Sequence, residues 1–212
     1  MKKGLLILAI ISVVSSCTKF DDKLYDTKDS NILYPPYTEL RDLIDDAGWW
    51  YWAQEVSSDE IVFPVRGTDW NDGGKWKVLH THEWTNDVDA VNSMWSQIDD
   101  GIRESNKVLD ELSPKAGDPI INRSIAKTKT LRAFFMYLMM DNFGDIPLIT
   151  SFSNAPGFPE KVSRSEIYDF LIEDLTASAS LLPVSTNKFA VSRGMAYTLL
   201  AKLYINAEIY TG

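Results

Sequence analysis

One stretch of the chain, residues 126–150, limits the possible folds more than any other. In it and just before it, apolar residues recur at three- and four-residue steps, which places them on one face of a helix. These residues are Ile121, Ile125, Leu131, Phe135, Leu138 and Met139. Lys127, Lys129 and Arg132 are predicted on the opposite face. Residues 134–140 are apolar almost all round, so this end of the helix should be buried on most sides.

The end of this helix carries a short motif. The helix should end near Asn142 or Phe143, because Gly144 readily adopts the positive φ angle that follows many last turns. Pro147 then favours an extended Ile146. A buried helix that runs into Gly-Asp-Ile-Pro-Leu-Ile resembles the signature helix of the SusD/RagB-type outer-membrane lipoproteins of Bacteroidetes. In that family an LRAF-rich helix is closed by a Y/F-G-D-x-P-L turn.

The N-terminus has the pattern of a lipoprotein signal. Lys2 and Lys3 precede an apolar run over residues 5–14, which is too short for a bilayer span of about 20 helical residues. Cys17 follows small residues and is the only cysteine, so an internal disulfide is impossible. We predict a signal peptide over residues 1–16 and lipidation of Cys17. The alternative is an ordinary secretory signal followed by an incidental cysteine.

Residues 17–36 are predicted to be a polar, lipidated tether that ends at Pro35-Pro36. Lys19, closely followed by acidic residues, resembles the short export tag that sends Bacteroidetes lipoproteins to the cell surface. The whole chain has a formal net charge of -9. This charge disfavours nucleic acid as a partner, and it disfavours attachment to anionic lipid through basic residues.

Apolar stripes and capping residues predict five helices in a mature domain over residues 37–212. The first three cover about residues 38–47, 91–112 and 119–141. The fourth begins at a capping box formed by Ser163 and Glu166 and ends at Leu182. The fifth is capped by Ser192 and runs towards Gly212. Helices two and three, and helices four and five, should form antiparallel hairpins. Such hairpins indicate stacked helix pairs of the tetratricopeptide type, although the long connection over residues 142–163 breaks the regular spacing of that repeat.

Two more patterns resemble the SusD/RagB family. Helix two carries a Trp-x-x-Ile-x-x-x-Ile-x-x-x-Asn pattern that ends at Asn106, and helix four ends in a DL…A…LP pattern. We therefore expect a mainly α fold of tetratricopeptide-like helix pairs with long loops, as an incomplete SusD-like fold. Family members are usually more than twice as long, so the chain resembles the N-terminal part of one. Helices three and five should then leave apolar surface uncovered.

Residues 48–90 contain six of the seven tryptophans and follow neither the helical nor the strand period. We interpret them as a long, ordered, aromatic-packed loop region. Trp70, Asn71, Asp72 and Trp76 surround a glycine turn there and are the candidate ligand-binding residues. Sugars and peptides both suit aromatic rings beside polar side chains. The competing interpretation is that these tryptophans only fill the core.

Zinc binding and hydrolysis have weaker support in the sequence. His80 and His82 are the only histidines and would share one face of a strand, but a zinc site needs three or four ligands, so we interpret them as surface or packed histidines. The carboxylate pair Asp59-Glu60 could serve a hydrolase. No nucleophile elbow, phosphate loop or dinucleotide motif is present. We therefore expect no enzyme, no cofactor and no metal site.

Three other acidic pairs are expected to be structural. Asp99-Asp100 and Glu173-Asp174 should lie on solvated helix faces, because adjacent residues of a helix point in different directions. Asp45-Asp46, near the end of predicted helix one, is the third of these pairs. None of these pairs is a candidate for catalysis.

The resemblance also implies a function. It implies an outer-membrane lipoprotein, facing the exterior, that captures an oligosaccharide and delivers it to a SusC-like, TonB-dependent transporter. A peptide-binding member of the same family is one alternative. A generic helical-repeat adaptor, whose groove binds a helix of another protein, is the other.

Overall fold

The computed structural model describes residues 27–45, 48–185, 187 and 189–212. The predicted signal peptide, Cys17 and the first part of the predicted tether lie outside these residues. Within the described ranges, no helix is both long enough and apolar enough to cross a membrane.

Helices make up most of the described chain. They are α1 (Thr27–Ile44), α2 (Trp49–Ser57), α3 (Lys75–His80), α4 (Asp89–Leu112), α5 (Pro119–Phe143), α6 (Arg164–Leu181), α7 (Arg193–Ile205) and α8 (Ala207–Thr211). Short 3-10 turns cover Asp72–Gly74 and Ser113–Lys115. Two short strands, β1 (Ile146–Pro147) and β2 (Lys161–Val162), pair antiparallel. The predicted mainly α fold is confirmed.

Helix α5 lies at the centre of the fold, between α4 and α6. Phe135, Met136 and Met140 have no exposed surface, which confirms the predicted burial of this helix. The position predicted for Arg132 is wrong, because it is only 4% exposed rather than solvated. The physical reason is an ion pair with Asp174 of α6, which compensates the buried charge.

The predicted helix pairs are present. Helices α4 and α5 pack along each other, as do α6 and α7. Gly101 makes the first of these contacts close, since a Cβ added there would lie 2.5 Å from ring carbons of Phe135. The absence of a side chain at Gly101 therefore lets the two helix axes approach.

Local capping explains where the central helices begin and end. The Asp118 carboxylate accepts a hydrogen bond of 2.7 Å from the backbone N–H of Ile120 at the start of α5. Ser163 and Glu166 form the predicted reciprocal capping box at the start of α6. Gly144 has a φ of 78° and ends α5, as predicted.

The first helix starts earlier than predicted. Helix α1 begins at Thr27 and contains Pro35 and Pro36, so the last part of the predicted tether is helical. Leu33 is buried against the end of α4. Burial of this side chain stabilises a helix that the two prolines would otherwise interrupt, and local propensity could not reveal it.

One side of α7 and α8, called here the α7–α8 face, is apolar and exposed. Its large side chains are Tyr197, Tyr204, Ile205 and Ile209. The expectation of uncovered apolar surface is confirmed for helix five. For helix three it holds only at Ile120, which is 60% exposed, and is wrong for the rest of α5, whose other large apolar residues are buried or half-buried.

Candidate functional site

The aromatic region, residues 48–90, is more regular than predicted. It contains α2 and α3, joined by turns that include the 3-10 turn Asp72–Gly74. Helix α2 begins where the backbone N–H of Trp49 donates a 2.9 Å hydrogen bond to Oε1 of Gln97 on α4. The absence of a sequence period is explained by this distant partner and by the run of aromatic residues.

Five aromatic side chains of this region form one aromatic cluster. They are Trp49, Trp52, Phe63, Trp70 and Trp76. Phe63 is central, because its ring centroid lies 4.3 Å from that of Trp76 and 4.8 Å from that of Trp70. Ring pairs at such distances add stability beyond their buried area, so the cluster is a small aromatic core.

Trp76 lies inside this cluster. It is 7% exposed, and its indole N–H donates a hydrogen bond of 2.7 Å to Oδ2 of Asp72. The Lys75 ammonium lies 4.6 Å from the Trp76 ring centroid and 5.1 Å from that of Trp49. Trp76 and the Asp72 carboxylate are therefore occupied within the protein, and they can fix the turn but offer little surface to a ligand.

Trp70 lies at the edge of the cluster. It is 47% exposed, and its ring rests against Phe63 on one side. The turn before it is closed by backbone hydrogen bonds in both directions between Arg66 and Asp69, at 3.2 and 3.1 Å. Asn71 is exposed beside it. Trp70 and Asn71 can therefore present a flat ring and an amide together to solvent.

Backbone strain is concentrated in the same region. Among the described residues, four that are not glycine have positive φ angles, and all lie between positions 59 and 82. They are Asp59 (64°), Trp70 (56°), Asp72 (39°) and His82 (58°). Such conformations persist only where surrounding contacts enforce them, and they are enriched at functional sites.

The two histidines do not share a strand face, so that prediction is wrong. His80 ends α3, and its Nδ1 lies 2.9 Å from Oδ1 of Asp59. His82 follows in a turn, where its Nε2 lies 2.7 Å from the carbonyl oxygen of Ser57. Both rings therefore hold the end of α3 to the end of α2. The described residues contain no group of three or more side chains able to hold a metal ion.

The predicted acidic pairs have different environments. Asp59 and Glu60 are exposed, and Asp59 is engaged with His80 as described above. Asp174 was predicted to be solvated, which is wrong, because it is 6% exposed. Its two carboxylate oxygens accept hydrogen bonds from Lys129 at 2.6 Å and from Arg132 at 2.7 Å.

Arg132 extends this contact into a polar network. Its Nη1 donates to Oδ1 of Asn106 at 3.0 Å and to the carbonyl oxygen of Thr150 at 3.1 Å. Asn106 in turn donates to the carbonyl oxygen of Ile149 at 2.9 Å. The polar network, Asn106, Lys129, Arg132 and Asp174, therefore joins α4, α5 and α6 and fixes the chain after β1.

This network is not among the sequence-based predictions. A signal was present, because Asn106 and Asp174 interrupt otherwise apolar helical stripes. A polar side chain on a buried stripe requires a hydrogen-bonding partner. We interpret the network as structural, since Asn106, Arg132 and Asp174 are buried and bind one another and the backbone.

Asp110 of α4 fixes the next part of this connection. Its Oδ2 accepts hydrogen bonds from the backbone N–H groups of Phe152 and Ser153, at 2.9 and 2.8 Å, and from the hydroxyls of Ser151 and Ser153. The backbone hydrogen bond from Ser153 is the main reason that the pKa of Asp110 is lowered. The segment therefore carries a charge-assisted clamp at neutral pH.

A shallow cleft of about 520 Å³ lies elsewhere, between the start of α6 and α8. Asp145, Ser163, Arg164 and Tyr210 are among its lining residues. None of the predicted ligand-binding residues lines it. The exposed edge of the aromatic cluster, Trp70 with Asn71 beside it, is therefore a candidate site separate from this cleft.

Comparison with known proteins gives matches at the level of family and fold. A family described as "Starch-binding associating with outer membrane", SusD-like, matches residues 43–205. No curated protein sequence matches the chain.

Three solved structures similar to this chain are each longer than it. A laminarin binding SusD-like protein has a TM-score of 0.72 at 24% identity, over 86% of this chain and 40% of its own. A SusD superfamily protein from Bacteroides vulgatus has a TM-score of 0.71 at 24% identity, over 87% of this chain and 40% of its own. Surface glycan-binding protein A from Bacteroides uniformis has a TM-score of 0.70 at 21% identity, over 86% of this chain and 42% of its own.

These identities establish a shared fold, and the chain spans about two fifths of the length of the structures it matches. The family match covers most of the helical domain, including α4 to α7 and the aromatic region. The chain therefore belongs to the SusD-like family, which is described as starch-binding and associated with the outer membrane.

Proposed function

We propose that the chain acts as a surface-exposed, lipid-anchored glycan-binding protein of the outer membrane. It captures oligosaccharides without chemical reaction and delivers them to a SusC-like, TonB-dependent transporter. The observation that carries this proposal is the family match over residues 43–205. The names of two matched structures, which specify laminarin and surface glycans, support a carbohydrate ligand.

The proposed ligand contact is the exposed edge of the aromatic cluster. Trp70 offers one ring face to the apolar CH face of a sugar, and Asn71 offers an amide to its hydroxyls. Asp72 and Trp76 hold the turn from below through their 2.7 Å hydrogen bond. A ring held in place before binding loses little conformational entropy when a ligand arrives.

We also propose the targeting arrangement indicated by the sequence. Residues 1–16 would be removed as a signal peptide, and Cys17 would carry the lipid. Residues 17–36 would connect the lipid to the domain over residues 37–212, with residues 27–36 already helical. Replacing Cys17 by Ala should abolish incorporation of radiolabelled palmitate, and continued labelling would contradict the anchor.

Calorimetric titration tests the ligand proposal. The full chain, purified in detergent, is titrated with laminari-oligosaccharides, malto-oligosaccharides and peptides of mixed sequence. Trp70→Ala should weaken glycan binding about tenfold or more, as expected for loss of an anchoring aromatic contact. Phe158→Ala is the matched control, because Phe158 is 98% exposed but lies outside the aromatic region.

The outcomes separate the alternatives. Binding of peptides alone would favour the peptide-binding member of the family, and binding of neither class would contradict capture by this chain. Chromatography of each oligosaccharide after overnight incubation should show it intact. Its cleavage, lost on substitution of Asp59 or Glu60, would instead establish a hydrolase.

A further inference from the structure

A second exposed tryptophan lies in the aromatic region, away from the predicted ligand-binding residues. Trp84 is 44% exposed, close to the value for Trp70. Its ring centroid lies 5.1 Å from that of His82, with the planes inclined at 49°. In the described part of the chain, its indole N–H has no hydrogen-bond acceptor. Trp84 thus has one supported side, and a large part of its side chain is open to solvent.

The support beneath Trp84 is held firmly. His82 Nε2 lies 2.7 Å from the carbonyl oxygen of Ser57, which joins the ring to the end of α2. The backbone N–H of His82 donates to the carbonyl oxygen of Leu79, and that of Glu83 donates to Val78. His82 has a φ of 58°, a conformation that a non-glycine residue keeps only when its surroundings enforce it.

A single exposed tryptophan is ordinary on a protein surface and needs no function. Trp84 differs because its support is strained and fixed by contacts from two helices. Glu83 also lies beside it, with a carboxylate 2.9 Å from the hydroxyl of Thr81. The Thr81 hydroxyl is already engaged with Lys77 and Glu83, but the Glu83 carboxylate can accept further hydrogen bonds. A flat ring next to such a carboxylate suits a ligand with apolar faces and many hydroxyls, which is the chemistry of a sugar.

The position of Trp84 relative to Trp70 suggests how the two could act. Trp70 precedes α3 and packs near its first turn through Trp76, at a ring distance of 6.5 Å. Trp84 follows the last turn of α3. A helix of six residues, such as α3, is about 9 Å long. The two rings therefore lie near opposite ends of one short helix.

We infer that Trp84, supported by His82, is a second carbohydrate contact, and that the ligand is an oligosaccharide long enough to reach from Trp70 past α3. This inference rests on the proposed glycan-binding function. Short sugars contact the Trp70 end alone, whereas longer ones contact both rings. Affinity therefore rises with chain length as long as both rings are present.

The test is a length series. The full chain and its Trp84→Ala, Trp84→Phe and Trp70→Ala variants are titrated with disaccharide to hexasaccharide of each oligosaccharide series. Trp84→Ala should weaken hexasaccharide binding about tenfold and leave disaccharide binding unchanged. Trp84→Phe, which keeps a flat ring, should retain most of the hexasaccharide affinity. Thermal melting curves check that each variant is folded.

A second measurement does not depend on any variant. N-bromosuccinimide oxidises exposed indoles, and mass spectrometry can follow oxidation of Trp84 in the unmodified chain. Hexasaccharide should protect Trp84, and disaccharide should not. Hexasaccharide that binds but leaves both Trp84 oxidation and the Trp84→Ala affinity unchanged would overturn the inference, while loss of binding in Trp70→Ala would still uphold the proposed function. Absence of any glycan binding by the unmodified chain would overturn both.

Discussion

Asp174 shows how one residue organises the interior. Its carboxylate lies between Lys129 and Arg132, and the Arg132 and Asp174 side chains are 5% and 7% exposed. A buried ion pair contributes modestly compared with apolar residues of the same shape, but removal of one partner leaves an uncompensated charge. The Arg132 Nε has no hydrogen-bond partner, so Asp174, Asn106 and the Thr150 carbonyl, which bind its two terminal nitrogens, stabilise this charge.

We expect Asp174→Ala to lower the free energy of unfolding by about 3–5 kcal/mol, because Arg132 would then be buried without a counter-charge. Urea denaturation followed by circular dichroism measures this. Glu173→Ala is the control, since Glu173 is the exposed neighbour and should change stability by no more than about 0.5 kcal/mol. Equal effects of the two substitutions would show that the network contributes nothing special.

The hydrogen bonds to Asp110 should make the stability of the chain depend on pH. Hydrogen bonds, foremost that from the Ser153 backbone, lower the pKa of this carboxyl in the folded state. The resulting stability is present above the unfolded pKa of about 3.9 and is lost as pH falls through the lowered folded pKa. Asp110→Asn should therefore be less stable than the unmodified chain at pH 6, with a smaller difference near pH 2. Urea denaturation at both values measures it, and a constant difference would contradict the clamp.

Single residues also show the limit of sequence reasoning at the site. Trp70 and Trp76 flank the same glycine-containing turn in the sequence, yet one is exposed and the other buried. Both contact Phe63, but Trp76 also packs against Trp49 and Trp52 of α2, and the sequence does not reveal these contacts. Positive φ angles at Trp70 and His82 are equally invisible in the sequence, because tertiary contacts impose them.

At the scale of helices, the sequence predicted those with local signals. Helices α4, α5 and α6 have apolar stripes together with caps or prolines, and their observed starts agree closely with the predictions. Helices α2 and α3 were missed. The start of α2 is stabilised by Gln97 of α4, which is distant in the sequence. The first residues of α2 are consecutive aromatic residues, so the sequence shows no helical period of apolar and polar residues there.

Alanine substitution should affect stability differently at two glycines, one inside the contact between α4 and α5 and one outside it. Gly101→Ala should destabilise the chain by about 1–3 kcal/mol, because the new Cβ would overlap the Phe135 ring, which cannot withdraw. Gly194→Ala in α7 is the matched control, where the nearest atom is 3.6 Å away. Since alanine favours helix by up to about 1 kcal/mol, Gly194→Ala should be neutral or stabilising. Denaturation midpoints that fall equally in both variants would argue against the close contact.

At the scale of the whole molecule, the main core extends from α1 to α8, and a smaller cluster joins Leu33 to the end of α4. The α7–α8 face carries four large exposed side chains, whereas Phe158 lies in the connection between β1 and β2. An exposed apolar surface of this kind tends to bind other apolar molecules in water.

The isolated chain should therefore bind the dye ANS through the α7–α8 face. The double variant Ile205→Lys, Ile209→Lys should lower ANS fluorescence at least about twofold without lowering the melting temperature, because both side chains are exposed. Phe158→Lys is the control, because Phe158 is exposed but lies outside the α7–α8 face. It should leave the ANS fluorescence nearly unchanged. Equal fluorescence in all three proteins would show that the dye binds elsewhere.

The polar network has a consequence for how this family is recognised. Each of the three sequence patterns that resemble the family supplies one member: Arg132 from the central helix, Asn106 from α4 and Asp174 from α6. The three patterns by which the chain resembles the family thus contain residues that hold its interior together, and not the solvent-facing tryptophans. Trp70 and Asn71, the proposed ligand contacts, take no part in this network, so substitutions there can change what the surface binds without weakening the interior.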